Sequence, residues 1–212
     1  MKRASATSST SSSPAAEAAP PAGNRASIAR VEEIEQRAAE FLASVPEWIW
    51  DGSSLPIPIE DIADSHAGLL VRDVEDMTTA PGCPEPGEGQ SISGLLLPSR
   101  GEIWVNAEEA RQWPPRRRFT IAHELGHWVL HQGRQTSLFC RHGAVDPSEG
   151  GEAQRPELPP IEEEANNFAA ALLMPADMVR REYRRTGGDF DALRSVFSSS
   201  GAAMGRRLHQ TV

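Results

Sequence analysis

Two histidines four residues apart, His123 and His127, stand in the run Phe119-Thr-Ile-Ala-His-Glu-Leu-Gly-His-Trp-Val129. No other feature restricts the chain so strongly. Phe119, Ile121, Ala122, Leu125, Trp128 and Val129 recur so that a helix over about 116–131 is apolar on most of its other sides. Residues at i and i+4 share one face of a helix. Imidazoles set into an otherwise buried helix need polar satisfaction, and a shared metal ion supplies it. Two such rings can hold one zinc ion at about 2.0–2.1 Å each. Glu124 falls about 100° further round the helix, beside the metal and not on it. There it can take a proton from a metal-bound water. Gly126 costs about 1 kcal/mol in a helix interior, so its presence points to a close approach of backbone or substrate.

A catalytic zinc needs a third protein ligand and an open fourth position. The run Ile161-Glu-Glu-Glu-Ala-Asn-Asn-Phe-Ala-Ala-Ala-Leu-Leu-Met-Pro175 predicts a second helix, over about 161–173, with Ile161, Ala165, Phe168, Ala169 and Leu172 as its apolar stripe. Glu162 lies beside that stripe and is the candidate third ligand. Asn166, one turn on, can orient a ligand histidine from behind. Glu163 and Glu164 project more towards solvent, where three acidic residues also suit the positive end of a helix dipole.

The rest of the chain frames this pair. Residues 1–26 are Ser, Thr, Ala and Pro with almost nothing to bury, and are expected to be a disordered low-complexity tail. The tail lacks the apolar stretch of a secretory signal. Ser27 is a plausible cap for a helix carrying Ile28, Val31, Ile34, Ala38, Phe41, Leu42 and Val45. A short helix near 59–66, a strand over 69–74 and a hairpin of 91–97 and 101–106 follow, with a Pro/Gly loop at 75–90. After the second site helix come helices near 176–185, 189–197 and 201–210. The fold class is α+β: a small antiparallel sheet packed on a pair of site helices, with a helical C-terminal part. The expected division is a tail (1–26), a main domain (27–185) and a small C-terminal helical unit (186–212) with a helix-turn-helix cadence.

The two paired motifs, Arg118-Phe-Thr-Ile-Ala-His-Glu-Leu-Gly-His127 and Glu162-Glu-Glu-Ala-Asn-Asn-Phe-Ala-Ala-Ala-Leu-Leu-Met-Pro175, resemble the ImmA/IrrE family of zinc metallopeptidases, as does the Gly101-Glu-Ile-Trp-Val-Asn106 hairpin. The resemblance covers about residues 55–185. It implies a zincin-like helix pair, one Zn²⁺ held by His123, His127 and Glu162, and Glu124 as catalytic base. It further implies a narrow regulatory endopeptidase whose protein substrate is a helix-turn-helix repressor. The chain departs from the family in an acidic Pro/Gly insert at 143–160, which bears on substrate access.

Other residues carry weaker signals. His131, Tyr183, His142 and Arg141 are candidate substrate or oxyanion contacts. Cys140 is a candidate thiol switch on the open metal position, and Cys83 an incidental thiol. Two cysteines cannot build a disulfide framework, and no run of 18 apolar residues exists. A cytoplasmic protein without a membrane span is therefore expected. The net charge of −9 argues against non-specific nucleic-acid binding. It is unevenly spread: residues 31–113 hold 4 basic and 17 acidic side chains, whereas 114–142 hold 5 basic and 1 acidic. Arg116-Arg-Arg118 and the tail arginines Arg194, Arg206 and Arg207 predict two basic faces where a protein partner docks. Two rival functions stand beside the protease: a non-catalytic, zinc-stapled module that sequesters a regulator, and a DNA-binding regulator using the C-terminal helices.

Overall fold

A computed structural model describes residues 22–81, 83, 91–131, 138–143 and 158–212; for 22–26 and 138–143 it describes the backbone alone. Residues 1–21 of the expected tail, half of the 75–90 loop and the core of the 143–160 insert lie outside the described residues.

Helix α1 (Ala22–Ala43) starts five residues before the expected Ser27 cap. It buries Ile34, Ala38 and Leu42, one per turn, and is over before Pro46, which disfavours helical backbone at the residue ahead of it. Helix α2 (Ile59–Asp61) runs on into a wider turn at Ile62–His66, together filling the expected 59–66. Strands β1 (Leu70–Val74), β2 (Ser91–Leu97) and β3 (Glu102–Asn106) follow. The β2–β3 turn closes through Gly101 at φ +62°, a left-handed conformation suited to glycine. Strand β4 (Leu138–Gly143) completes a sheet of order β1-β3-β2-β4.

The α+β class is as expected, and β2 pairs antiparallel with both β3 and β4. The sheet as a whole is mixed, because β1 joins β3 in parallel. The short helix α3 (Ala107–Gln112) was not anticipated; Asn106 caps it by accepting from the amides of Glu108 and Glu109. The remaining helices, α4 (Pro114–Leu130), α5 (Pro160–Leu173), α6 (Ala176–Thr186), α7 (Phe190–Phe197) and α8 (Gly201–Thr211), match the periodicity of the sequence.

The main core forms where Leu96, Ile103 and Val105 of the sheet meet Ile121, Ala122 and Leu125 of α4, Phe168, Ala169 and Leu172 of α5, and the inward face of α1. Leu193, Phe197 and Met204 of the C-terminal helices belong to the same core. A second, smaller cluster gathers Leu95, Leu97 and Trp104 with Met77 and Ala80. Among the described residues, no helix is long and apolar enough to cross a membrane.

Of the six arginines expected to make open basic faces, Arg116, Arg117, Arg118 and Arg207 are engaged within the fold, whereas Arg206 is exposed and Arg194 pairs with Asp191 on its own helix. Arg116 pairs with Glu109 at 2.8 Å and donates to Ser93 Oγ. Arg117 bridges Glu60 at 2.6 Å and Asp73 at 2.9 Å, tying α4 to α2 and β1. Arg118 donates to the Ile57 carbonyl at 2.6 Å. Arg207 is 1% exposed, donates to the Met174 carbonyl and pairs with Glu35 of α1. Burial next to local carboxylates, invisible in a linear charge count, turns these cations from docking charges into internal pins.

The Arg117 bridge has a pH signature. Hydrogen bonds from Arg117 hold the Glu60 carboxyl below its ordinary value of 4.5, against an opposing push from partial burial. A carboxyl lowered on folding stabilises the fold above its unfolded pKa, and that contribution disappears as pH falls through the lowered value. Glu60→Gln is therefore expected to be less stable than the parent at pH 7, with the deficit narrowing below pH 4.5. Thermal melts from pH 7 to pH 3 measure this; a deficit constant over that range contradicts it.

Candidate metal centre

The centre is built where α4 and α5 cross. Gly126 sets their separation: a Cβ there would lie 3.1 Å from both Cα and O of Ala165, and 3.3 Å from Cβ of Phe168. Any larger residue would hold the helices apart, which is the physical reason for a glycine in mid-helix. The crossing brings Glu162, one turn before Ala165, over the face that carries His123 and His127.

His123 and His127 are each 1% exposed. Their Nε2 atoms face one another at 3.0 Å. Glu162 reaches both, with Oε2 at 3.2 Å from His123 Nε2 and Oε1 at 3.4 Å from His127 Nε2. One ligand atom from each residue lies within 4.8 Å of the others. In a tetrahedral site with bonds of about 2.0–2.1 Å, neighbouring donors stand about 3.3–3.4 Å apart. The observed edges are close to that spacing, and two imidazoles with one carboxylate are a donor set that suits zinc. The residues therefore fit a small divalent cation.

The surroundings favour the same state. Burial pushes the Glu162 carboxyl up, but the hydrogen bonds and charges of His123 and His127 outweigh it and hold the group at about 2. Glu162 is thus a carboxylate at neutral pH, as a ligand must be. His123 turns Nδ1 towards Asn166 Oδ1 at 3.1 Å, so the amide oxygen can fix the proton on that nitrogen and leave Nε2 pointing inward. This is the position the sequence suggested for Asn166.

Glu124 is completely buried beside the pair. Strand β2 passes close to it at Gly94, where a Cβ would sit 2.2 Å from Thr120 Cγ2 and 3.1 Å from Glu124 Oε1. Glycine at position 94 lets the sheet backbone reach the acid, and no reading of the sequence pointed to it. In the ladder Gly94 stands opposite Cys140, and Ile92 opposite His142. The side chains of Cys140, Arg141 and His142 lie outside the described residues.

The other candidates separate. His131 is 3% exposed, with Nδ1 at 3.1 Å from His127 Nδ1 and Nε2 at 2.9 Å from Glu164 Oε2. Glu164 does not project into solvent as expected, because α1 packs over that side of α5 and Arg30 grips the carboxylate. Tyr183 is exposed on α6, its ring over Gly188 at the turn into α7. Cys83 lies against the smaller apolar cluster.

The sequence pattern of the IrrE N-terminal-like domain, peptidase family M78, matches residues 83–209. The chain belongs to that family. The match spans β2 to α8 and so contains all three donors, Glu124 and Asn166. A transcriptional regulator of Mycobacterium tuberculosis is a solved structure with similarity to this member, at 17% identity and a TM-score of 0.44. The alignment covers 84% of this chain and 46% of that one, so the chain spans about half the length of that protein. No curated protein matches it. The IrrE-like family is metallopeptidase-like, in keeping with the donor set.

Gly94→Ala is expected to force β2 and Thr120 apart, costing about 1–3 kcal/mol. Thr120→Ser removes the obstructing methyl and should recover much of that loss in the double variant. Denaturant unfolding of the two single variants and the double measures the coupling; additive losses would show that Gly94 and Thr120 do not compete for the space.

Proposed function

We propose that the chain is a zinc-dependent endopeptidase with His123, His127 and Glu162 as metal ligands and Glu124 as general base. The observation that supports this most directly is the His-His-Glu cluster with tetrahedral edge lengths, its two histidines buried, set beside a second acid, Glu124, that is fully buried. A divalent ion, when bound, supplies Lewis-acid polarisation of the scissile carbonyl and activation of water. Glu124 accepts the proton of the attacking water and delivers it to the leaving amine. Its burial against the β2 backbone at Gly94 limits its motion, so little reorganisation is needed during proton transfer. His123 and His127 present Nε2 to the ligand position, and Asn166 orients the first of them.

The family supports a regulatory setting, and the substrate class we infer is a transcriptional repressor of the helix-turn-helix type. Arg207 is buried against Glu35 and the Met174 carbonyl, which removes it from any phosphate-contacting face of the C-terminal helices.

Glu124→Gln is expected to keep about one zinc per chain, by metal analysis of the purified protein, and to lose cleavage by about 10²–10⁴-fold, the range of general acid–base catalysis. The assay uses the zinc-loaded chain with a repressor encoded in the adjacent reading frame, followed by gel electrophoresis of the repressor. His123→Ala should lose both metal and cleavage. Parent-level cleavage by Glu124→Gln would refute the mechanism. A regulatory effect that survives in that variant would instead identify a sequestering module.

A further inference from the structure

His127 is held from behind by a chain of contacts that leaves the metal centre and ends on a different helix. Its Nε2 faces His123 and Glu162, so its Nδ1 looks the other way, at 3.1 Å from Nδ1 of His131. Only one of two facing ring nitrogens can carry the hydrogen. A ring that offers its Nε2 lone pair to a cation carries its hydrogen on Nδ1. His127 Nδ1 must then donate and His131 Nδ1 must accept. That choice places the His131 hydrogen on Nε2, which faces the Glu164 carboxylate at 2.9 Å. Glu164 in turn accepts a fork from Arg30 of α1, Nε to Oε1 and Nη2 to Oε2, both at 2.8 Å. Each link satisfies the next with a single assignment of hydrogens.

The two histidines of the centre are therefore supported differently. His123 leans on Asn166, inside the crossing of α4 and α5. His127 is linked through His131 and Glu164 to Arg30 of α1, more than ninety residues earlier in the chain. Burial matters here: His131 is 3% exposed, so water is a poor substitute for it.

We propose that Arg30, Glu164 and His131 are positioning residues that fix the ring orientation and tautomer of His127, so that the docking of α1 sets the metal affinity of the centre. This rests on the metal reading above.

The direct test is nitrogen-15 NMR of the imidazoles in the full, zinc-loaded chain at pH 7. The expected result is zinc on Nε2 of His123 and His127, with His131 neutral and protonated on Nε2. Chelator competition for zinc gives the second readout. His131→Leu should weaken zinc binding by about 10–100-fold. His131→Asn should recover part of the loss, because its amide oxygen can take the place of Nδ1. Arg30→Gln, at a half-exposed position that the fold can tolerate, should weaken binding in the same direction by about threefold or more. These variants are compared at equal helical content by circular dichroism.

A His131 ring protonated on Nδ1, or doubly protonated, with zinc on the other two rings overturns the positioning chain while leaving the metal centre intact. So does parent-like zinc affinity in Arg30→Gln and His131→Asn together. Zinc that leaves the His123 and His127 nitrogens unchanged overturns both readings.

Discussion

The contact on which the site depends is the close approach of α4 and α5 at Gly126 and Ala165. Histidines at i and i+4 fix only two corners of a ligand set, and the third has to come from elsewhere in the chain. With no side chain at position 126, the two helices pack near backbone contact, and Glu162 arrives within 3.2–3.4 Å of both rings. The same crossing seats Ala165, Phe168 and Ala169 in the main core. Apolar packing and ligand geometry are thus one arrangement. A change that swells the crossing would loosen the core and separate the donors together.

The parts of the site that could be read from the sequence are those with local periodicity. His123, Glu124 and His127 follow from helical spacing alone, and Glu162 and Asn166 from the edge of an apolar stripe. The mixed character of the sheet was hidden because a five-residue strand carries no mark of whether its partner runs parallel. Helix α3 was missed although Asn106 and the acids after it form an N-terminal capping pattern; the preceding strand ends on that same asparagine. Gly94 was missed for a different reason. Its role is to leave a space for Thr120 and Glu124, and a space is a property of two elements and not of one. Arg30 and Glu164 are separated by 134 residues, so only the packing of α1 on α5 reveals their link.

The charges follow the same logic. A count along the chain makes residues 114–142 basic, and an exposed basic face looks like a docking site. In the fold, Arg117 sits between Glu60 and Asp73, Arg116 beside Glu109, and Arg207 between Glu35 and a backbone carbonyl. The acidic excess of 31–113 is partly what those cations are matched to. Partly exposed pairs of this kind contribute modestly each, but they join segments distant in sequence and so fix register. Arg207 is different in degree. It is almost fully buried, and removing Glu35 would leave a charge without its counterion, which costs far more than the pair contributes.

That distinction bears on the metal centre. His123, His127, His131, Glu162, Glu164 and Asn166 make one polar network at the edge of an apolar core. In a region of low dielectric, a network with every member satisfied is rigid, and one with a missing member is worse than an apolar filling. Such a network does not degrade gradually. If His131 lost its hydrogen bond to Glu164, the ring could turn or change tautomer, and His127 would then face a donor where it needs an acceptor. The conflict would be resolved at the metal, because Nε2 is the only other nitrogen of that ring. If the proposed chain of contacts holds, the cost of ordering the donors would be met by the docking of α1 and the closing of the core, and the affinity of the centre would report on how completely the fold has formed.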